Sequence, residues 1–185
     1  MKNSTPLSDN QVAQQIEQIE RQKKMGSWLA IWQLRRLARQ CPDNWRPLFN
    51  LGYYFRRRSD SWLNRFSPWY RLSIIAAISA YDRCLELCPE HAKPSVWKDL
   101  AGLYGRIQQD DVALSYASRA ALAKPDSLDN QINLAIAYFN SRQDVPRAKA
   151  ILQEALKKQP NADDIKYGLR RIALYEEGVN ARIRT

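Results

Sequence analysis

The sequence predicts an all-α chain of antiparallel helix pairs, stacked one on the next. Three observations carry this. Apolar residues recur three and four positions apart in segment after segment, which is the spacing of one helix face. The pattern repeats along the chain: Pro89, Pro125 and Pro160 close equivalent segments and lie 36 and 35 residues apart. Small residues at Ala113, Ala117 and Ala120 leave room for two antiparallel helices to approach closely.

The elements follow in order. Residues 1–10 read as an N-terminal tail, and 11–43 as a degenerate helix pair. Its first helix lies around Val12, Ile16 and Ile19. Its second reads Ala30-x3-Leu34-x2-Leu37-x4-Pro42. Residues 44–90 hold Leu48-x2-Leu51-Gly52-x2-Phe55, then Ala77-x3-Tyr81-x2-Cys84-x4-Pro89. Residues 94–126 hold Trp97-x2-Leu100-Ala101-x2-Tyr104, then Ala113-x3-Ala117-x2-Ala120-x4-Pro125. Between them Gln108 to Asp111 is expected to be a polar turn with an N-cap donor. Residues 127–161 hold Leu134-Ala135-x2-Tyr138, then Ala148-x3-Leu152-x2-Ala155-x4-Pro160. Residues 162–185 give a last helix, roughly 163–177, with Ile165, Leu169 and Ile172 inward, and a tail.

These residues resemble the tetratricopeptide repeat, whose unit of about 34 residues reads W-x2-L-G-x2-Y…A-x3-F…P. One match would be weak; three in register, with a degenerate fourth before them, cover nearly the whole chain. The resemblance implies a right-handed superhelical array closed by a C-terminal capping helix. No repeat buries its apolar face alone, so neighbours must stack.

One repeat departs from the pattern. The spacing from Leu48 to Ala77 is 29 residues, against 16 from Trp97 to Ala113. The extra residues fall within RRRSDSWLNRFSPWYR, residues 56–71, with five Arg and one acid. The first helix of this repeat is expected to run through Arg57, with a loop or short turn from Ser59 to Phe66. Ser67-Pro68 reads as an N-cap and a first-turn proline, starting a helix that runs to Cys88. Arginine interleaved with aromatics suits three kinds of contact. These are phosphates and bases of a single strand, anionic membrane headgroups, or a protein interface. The bland alternative folds Trp62, Phe66 and Trp69 back near Trp28 and Trp32, leaving only arginines exposed. The expected docking residues of the insertion are Arg56, Arg57, Arg58, Trp62, Arg65, Phe66, Trp69 and Arg71.

Composition narrows the function classes. The chain is 45% hydrophobic and 26% charged, enough for a core. Its longest mostly apolar stretch, Leu72 to Tyr81, is about half what a membrane span needs. No apolar run follows Lys2, so no secretory signal is expected, and a cytoplasmic location follows, with peripheral attachment to a membrane complex compatible with it. No Gly-rich loop is available to cradle phosphate, and His91 is the single histidine. No catalytic set, cofactor or metal is therefore expected. Cys84-x3-Cys88-x2-His91 with Cys41 is the zinc alternative. However, Cys41 and Cys88 precede prolines at equivalent repeat positions, and Cys84 falls on a helix core position. Buried thiols are the expected reading. The net charge of +10 is uneven. Residues 1–72 hold 13 Lys+Arg and 5 Asp+Glu, whereas 73–185 hold 16 and 14. An acidic partner for the N-terminal part is one expectation; solubility and scattered solvated faces are the alternative.

The resemblance further implies a concave groove, lined by the first helix of each repeat, that binds a peptide or helix of a partner. Helical phase places Arg46, Asn50, Tyr53 and Arg57 there, then Lys98, Asp99 and Arg106, then Asn133, Ile136 and Asn140, with Tyr167 and Arg171 from the last helix. The family's chaperone-binding members hold a carboxylate with Lys, Asn, Asn, Lys and Arg. Lys98 and Asn133 fit two of those places, but Gly102, Asp164 and Gly168 occupy the others, so that activity does not transfer. The expected function is a non-enzymatic adaptor or assembly factor, with the insertion as a second docking surface. The alternative is a peripheral membrane or nucleic-acid binder driven by the basic N-terminal part.

Overall fold

The computed structural model describes residues 7–21, 27–60, 68–141 and 144–183. Among these residues the secondary structure is entirely helical. The helices are α1 (Asp9–Arg21), α2 (Ser27–Gln40), α3 (Trp45–Asp60), α4 (Pro68–Leu87), α5 (Lys93–Arg106), α6 (Asp110–Ala123), α7 (Leu128–Ser141), α8 (Val145–Lys158) and α9 (Asp163–Ile183). The chain forms two compact units, Met1–Val96 and Trp97–Thr185.

In the first unit α1 packs on α2 and α3, α2 on α3, and α3 on α4. Ser8 and Gln11 start α1 as a reciprocal cap. The Ser8 amide donates to Gln11 Oε1 at 2.8 Å, and the Gln11 amide to Ser8 Oγ at 3.4 Å. The degenerate first repeat thus has a true helix, burying Val12, Ile16 and Ile19. Asn44 Nδ2 donates to Asp9 Oδ1 at 2.7 Å, tying the start of α1 to the start of α3.

The α3–α4 contact is the tightest in this unit. Tyr81 is fully buried. A Cβ at Gly52 would lie 2.7 Å from its ring, so only glycine fits there. Phe49 meets Tyr81 edge-on at 5.8 Å and Trp45 edge-on at 6.0 Å. α3 runs past the expected end to Asp60, so Ser59 is not loop. It is buried within the helix, and its hydroxyl donates to the Arg56 carbonyl at 2.6 Å. The apolar pattern broke at three consecutive arginines, but arginine is a good helix former and the helix continues through them. The remaining expected loop, 61–66, lies outside the described residues, as does Ser67.

In the second unit two apolar clusters are stacked. One joins Ala101, Leu114, Ala117, Ala121, Leu134 and Ala137. The other joins Ile132, Phe139, Ala148, Leu152, Ile165 and Ile172 with their neighbours. α7 contributes opposite edges of its surface to both. The α5–α6 turn corrects an expectation. Gln109 stands at the N-cap of α6 with no side-chain capping bond. The turn is held instead by the backbone: Gln109 N–H donates to the Tyr104 carbonyl at 3.0 Å and Gln108 N–H to Gly105 at 3.2 Å. Gln108 has φ 61°, the left-handed residue this motif needs. Asp110 and Asp111 fall in the first turn of α6, where the helix dipole favours them. Buried Asn130 donates to the Ala120 carbonyl at 2.9 Å, closing the end of α6 from the next helix. The final helix extends beyond the expected 177, to Ile183.

The contrast between two glycines can be measured. Gly52→Ala should lower stability by about 1–2 kcal/mol in urea unfolding, because the overpacked methyl outweighs the better helix propensity of alanine. Gly102→Ala, with nothing within 4 Å of its Cβ position, should raise stability by up to about 1 kcal/mol. Equal effects at both positions would contradict the close α3–α4 approach.

Candidate partner-binding surface

In the second unit, α5 and α7 frame a cleft of about 210 Å³. The spacing of its residues makes it. Gly102, Gly105 and Arg106 share one face of α5, and Asn133, Ile136, Ala137 and Asn140 share one face of α7. The glycines present no side chains, so the cleft stays open between the helices. Arg106 is exposed, while Asn133 and Asn140 are half-buried. Arg171 of α9 donates from Nη2 to Asn140 Oδ1 at 3.3 Å. Its guanidinium also lies over Phe139 at 5.1 Å and over Tyr167 at 6.0 Å. Tyr167 is 65% exposed and offers an open aromatic face. The arrangement can hydrogen-bond a peptide backbone through two amides and hold an anionic group through two guanidiniums.

The other expected groove residues are placed differently. Lys98 is engaged by Asp129 at 3.8 Å. Asp99 is buried, so it is not open to a ligand as expected. It lies three residues after Val96 and four before Leu103, both fully buried, so it belongs to the inward stripe. In the first unit, Arg46 Nη1 donates to the Asp9 carbonyl at 3.3 Å, and Asn50 Nδ2 to the Arg46 carbonyl at 3.0 Å. Tyr53 meets Tyr54 edge-on at 5.8 Å.

The basic aromatic segment is partly described. Arg56 lies over Tyr53 at 5.7 Å, and Arg58 lies over Trp28 at 3.7 Å. Arg57 and Arg71 are exposed. Trp69 is 61% exposed, Trp28 57% and Trp32 54%. Arg58 thus covers Trp28, and Trp69 is largely exposed. Trp62, Arg65 and Phe66 lie outside the described residues. Reading by motif missed Gly105 and Asp129. The glycine was legible in the phase of α5, one turn beyond Gly102; the Lys98–Asp129 pair needed the three-dimensional placement of α7.

The cysteines are buried free thiols, and His91 is exposed. Among the described residues no group of three or more potential metal ligands gathers. Burial first, and then the adjacent Cys88, push the Cys84 thiol up to about 12. Burial also raises Cys88.

Among the described residues, four helix pairs and a final helix define the class: the chain has the tetratricopeptide-repeat fold. No protein-family model matches the sequence, and no curated protein does. Among solved structures, MamA from Desulfovibrio magneticus RS-1 (residues 41 to the end) gives a TM-score of 0.72 at 18% identity, covering 92% of this chain and 87% of that one. YrrB, described as a TPR protein with an unusual peptide-binding site, gives 0.66 at 12% identity, covering 88% and 74%. The first TPR of Spaghetti (RPAP3), solved with the HSP90 peptide SRMEEVD, gives 0.52 at 17%, covering 70% and 95%. At these identities the likeness is one of fold. Among the described residues no helix is long and apolar enough to cross a membrane.

The thiols predict a pH dependence. In the folded chain Cys84 keeps its proton where the unfolded chain has lost it. Its contribution to stability is therefore complete below the ordinary thiol pKa of roughly 8.5, and is lost as pH rises toward about 12. At pH 8 the folded chain should react only slowly with a thiol-reactive disulfide reagent, and urea should release all three thiols. Rapid labelling of Cys84 without urea would refute its burial.

Proposed function

We propose that the chain is a non-enzymatic adaptor or assembly factor that holds an extended segment of a partner protein in the α5–α7 cleft. The observation that carries this is the convergence of Asn133, Asn140 and Arg106 on one open cleft, with Arg171 bonded to Asn140. Asparagine amides donate and accept, which matches an extended backbone. Arg106 and Arg171 favour an acidic side chain or terminal carboxylate. The peptide-bound fold relative supports a protein ligand in general. In this reading the Arg56–Arg71 segment makes a second contact, through exposed Trp69 and Arg71 and through Trp62, Arg65 and Phe66.

The test is a photo-crosslinking residue placed at Ile136 in the full chain, inside cells, followed by mass spectrometry. One protein should crosslink reproducibly. The triple variant Arg106→Ala, Asn133→Ala, Asn140→Ala should reduce its capture at least about tenfold, as expected when a few anchors dominate binding. Unchanged capture would remove the cleft from the reading. Recovery of lipid or nucleic acid alone, lost as salt rises, would replace the adaptor with a peripheral membrane or nucleic-acid binder.

A further inference from the structure

A larger cleft, of about 700 Å³, lies within the first unit between α2 and α4. These are the second helices of their pairs, the ones not expected to line a groove. Leu48, Leu51 and Phe55 of α3 form its floor. Ala76 and Ala80 on α4 keep it open. Its rim carries Arg35, Arg39 and Arg83, all exposed, and no carboxylate lines it. Among the described residues none of the three arginines forms an ion pair. Arg35 lies over the Phe55 ring at 5.3 Å, and Arg39 Nε donates to the Arg35 carbonyl at 3.3 Å. Those contacts aim charge at the mouth without neutralising it.

The two walls share a pattern. On α2, Trp28, Trp32, Arg35 and Arg39 are spaced as one helix face; on α4, Trp69, Leu72, Ala76 and Arg83 are spaced likewise. Trp28, Trp32, Trp69 and Leu72 are each more than half exposed. α2 and α4 are both paired with α3 and run the same way along it. Trp32 lines a separate recess between α1 and α2, beside Ile19 and Leu37, so the α2–α4 cleft itself is defined by its arginine rim and its apolar floor.

We propose that this cleft docks an acidic amphipathic helix of a partner protein. The apolar face of that helix would enter between α2 and α4 over Leu48, Leu51 and Phe55. Its Asp and Glu side chains would meet Arg35, Arg39 and Arg83. Charge complementarity selects the sign: three arginines without a lining acid repel a basic helix. Shape selects the kind of ligand. A recessed apolar floor accepts side chains projecting from one helix face, whereas a bilayer surface is flat. The proposal concerns a different unit from the α5–α7 cleft and stands or falls independently of it.

The test is selection of phage-displayed random 16-residue peptides on the full-length chain at about 0.15 M salt. Binders are then counter-screened on the variant Arg35→Glu, Arg39→Glu, Arg83→Glu. The expected binders carry Asp or Glu beside apolar residues at three- and four-residue spacing. They should bind the triple variant about tenfold more weakly or worse. They should bind the Asn133→Ala, Asn140→Ala variant as they bind the natural chain. The double variant Arg39→Glu, Arg83→Glu leaves the Arg35–Phe55 contact intact and should lose part of the binding. Arginine-to-lysine changes at all three positions should keep most of it. Circular dichroism and melting establish that each variant is folded. Neutral or basic binders, binders indifferent to the three arginines, or no binders at all would overturn the proposal. Phosphatidylserine vesicles form the second arm. Vesicle binding that is lost in the triple variant, without any arginine-dependent peptide, would assign the surface to lipid instead.

Discussion

Close approach of paired helices is the constraint on which the rest of this molecule depends. At the α3–α4 seam it is absolute, because a Cβ at Gly52 would overlap the ring of fully buried Tyr81. In the second unit alanines do the same work: Ala113, Ala117, Ala120 and Ala121 of α6 are all buried. Gly168 completes the series, with Leu152 Cδ1 only 3.0 Å from its Cβ position. Small residues let backbones pack closely, and the larger side chains on either side then fill the space between neighbouring pairs. Tyr81, Leu100, Leu103 and Leu152 are among the largest fully buried side chains.

The same economy creates the surfaces available for binding. A helix pair buries one seam and leaves its other faces to neighbours or to water. Where the next helix offers a small side chain, the gap persists as a cleft. Gly102 and Gly105 leave one between α5 and α7, and Ala76 and Ala80 leave another between α2 and α4. The polar character of each cleft differs. The first offers amides flanked by arginine, suited to backbone recognition. The second offers an apolar floor beneath arginines, suited to a helix face. The uneven charge of the sequence thus has a local expression, since the N-terminal excess includes Arg35 and Arg39 on one rim.

Much of this was legible in the residues. Three-and-four spacing located Val12, Ile16 and Ile19 on a helix even where the repeat motif was absent, because burial requires that spacing regardless of family pattern. Ile165 and Ile172 were legible for the same reason. The helix end at α3 was not. Motif matching stops at Phe55, but Arg56 to Arg58 carry no breaking signal, and the chain stays helical until Asp60. The α5–α6 turn was hidden because glutamine occupies the left-handed position where glycine would have announced it. Asp99 was expected in the groove from helical phase, yet it is buried. Its position between Val96 and Leu103 already put it inward. Asn130 was overlooked for a related reason, since its role, capping α6 from the next helix, depends on tertiary placement.

The α2–α4 cleft shows what motif reading leaves out. A repeat signature records the residues every copy needs, which are the ones that pack. Residues that distinguish one copy from another sit at positions the signature leaves blank. Arg35, Arg39 and Arg83 occupy such positions, and so do Trp28, Trp32 and Trp69. Their meaning depends on α2 and α4 lying beside the same α3, a fact of stacking that no single segment contains. Solvation ties the two features together. The cleft leaves apolar residues facing a recess open to water, and three arginines on one rim repel one another. Both costs are borne in the free chain. Both are relieved by one ligand only if it brings apolar surface and negative charge together. That is why the two features, meeting in one cleft, are better explained by a single acidic amphipathic partner than by separate accidents of composition.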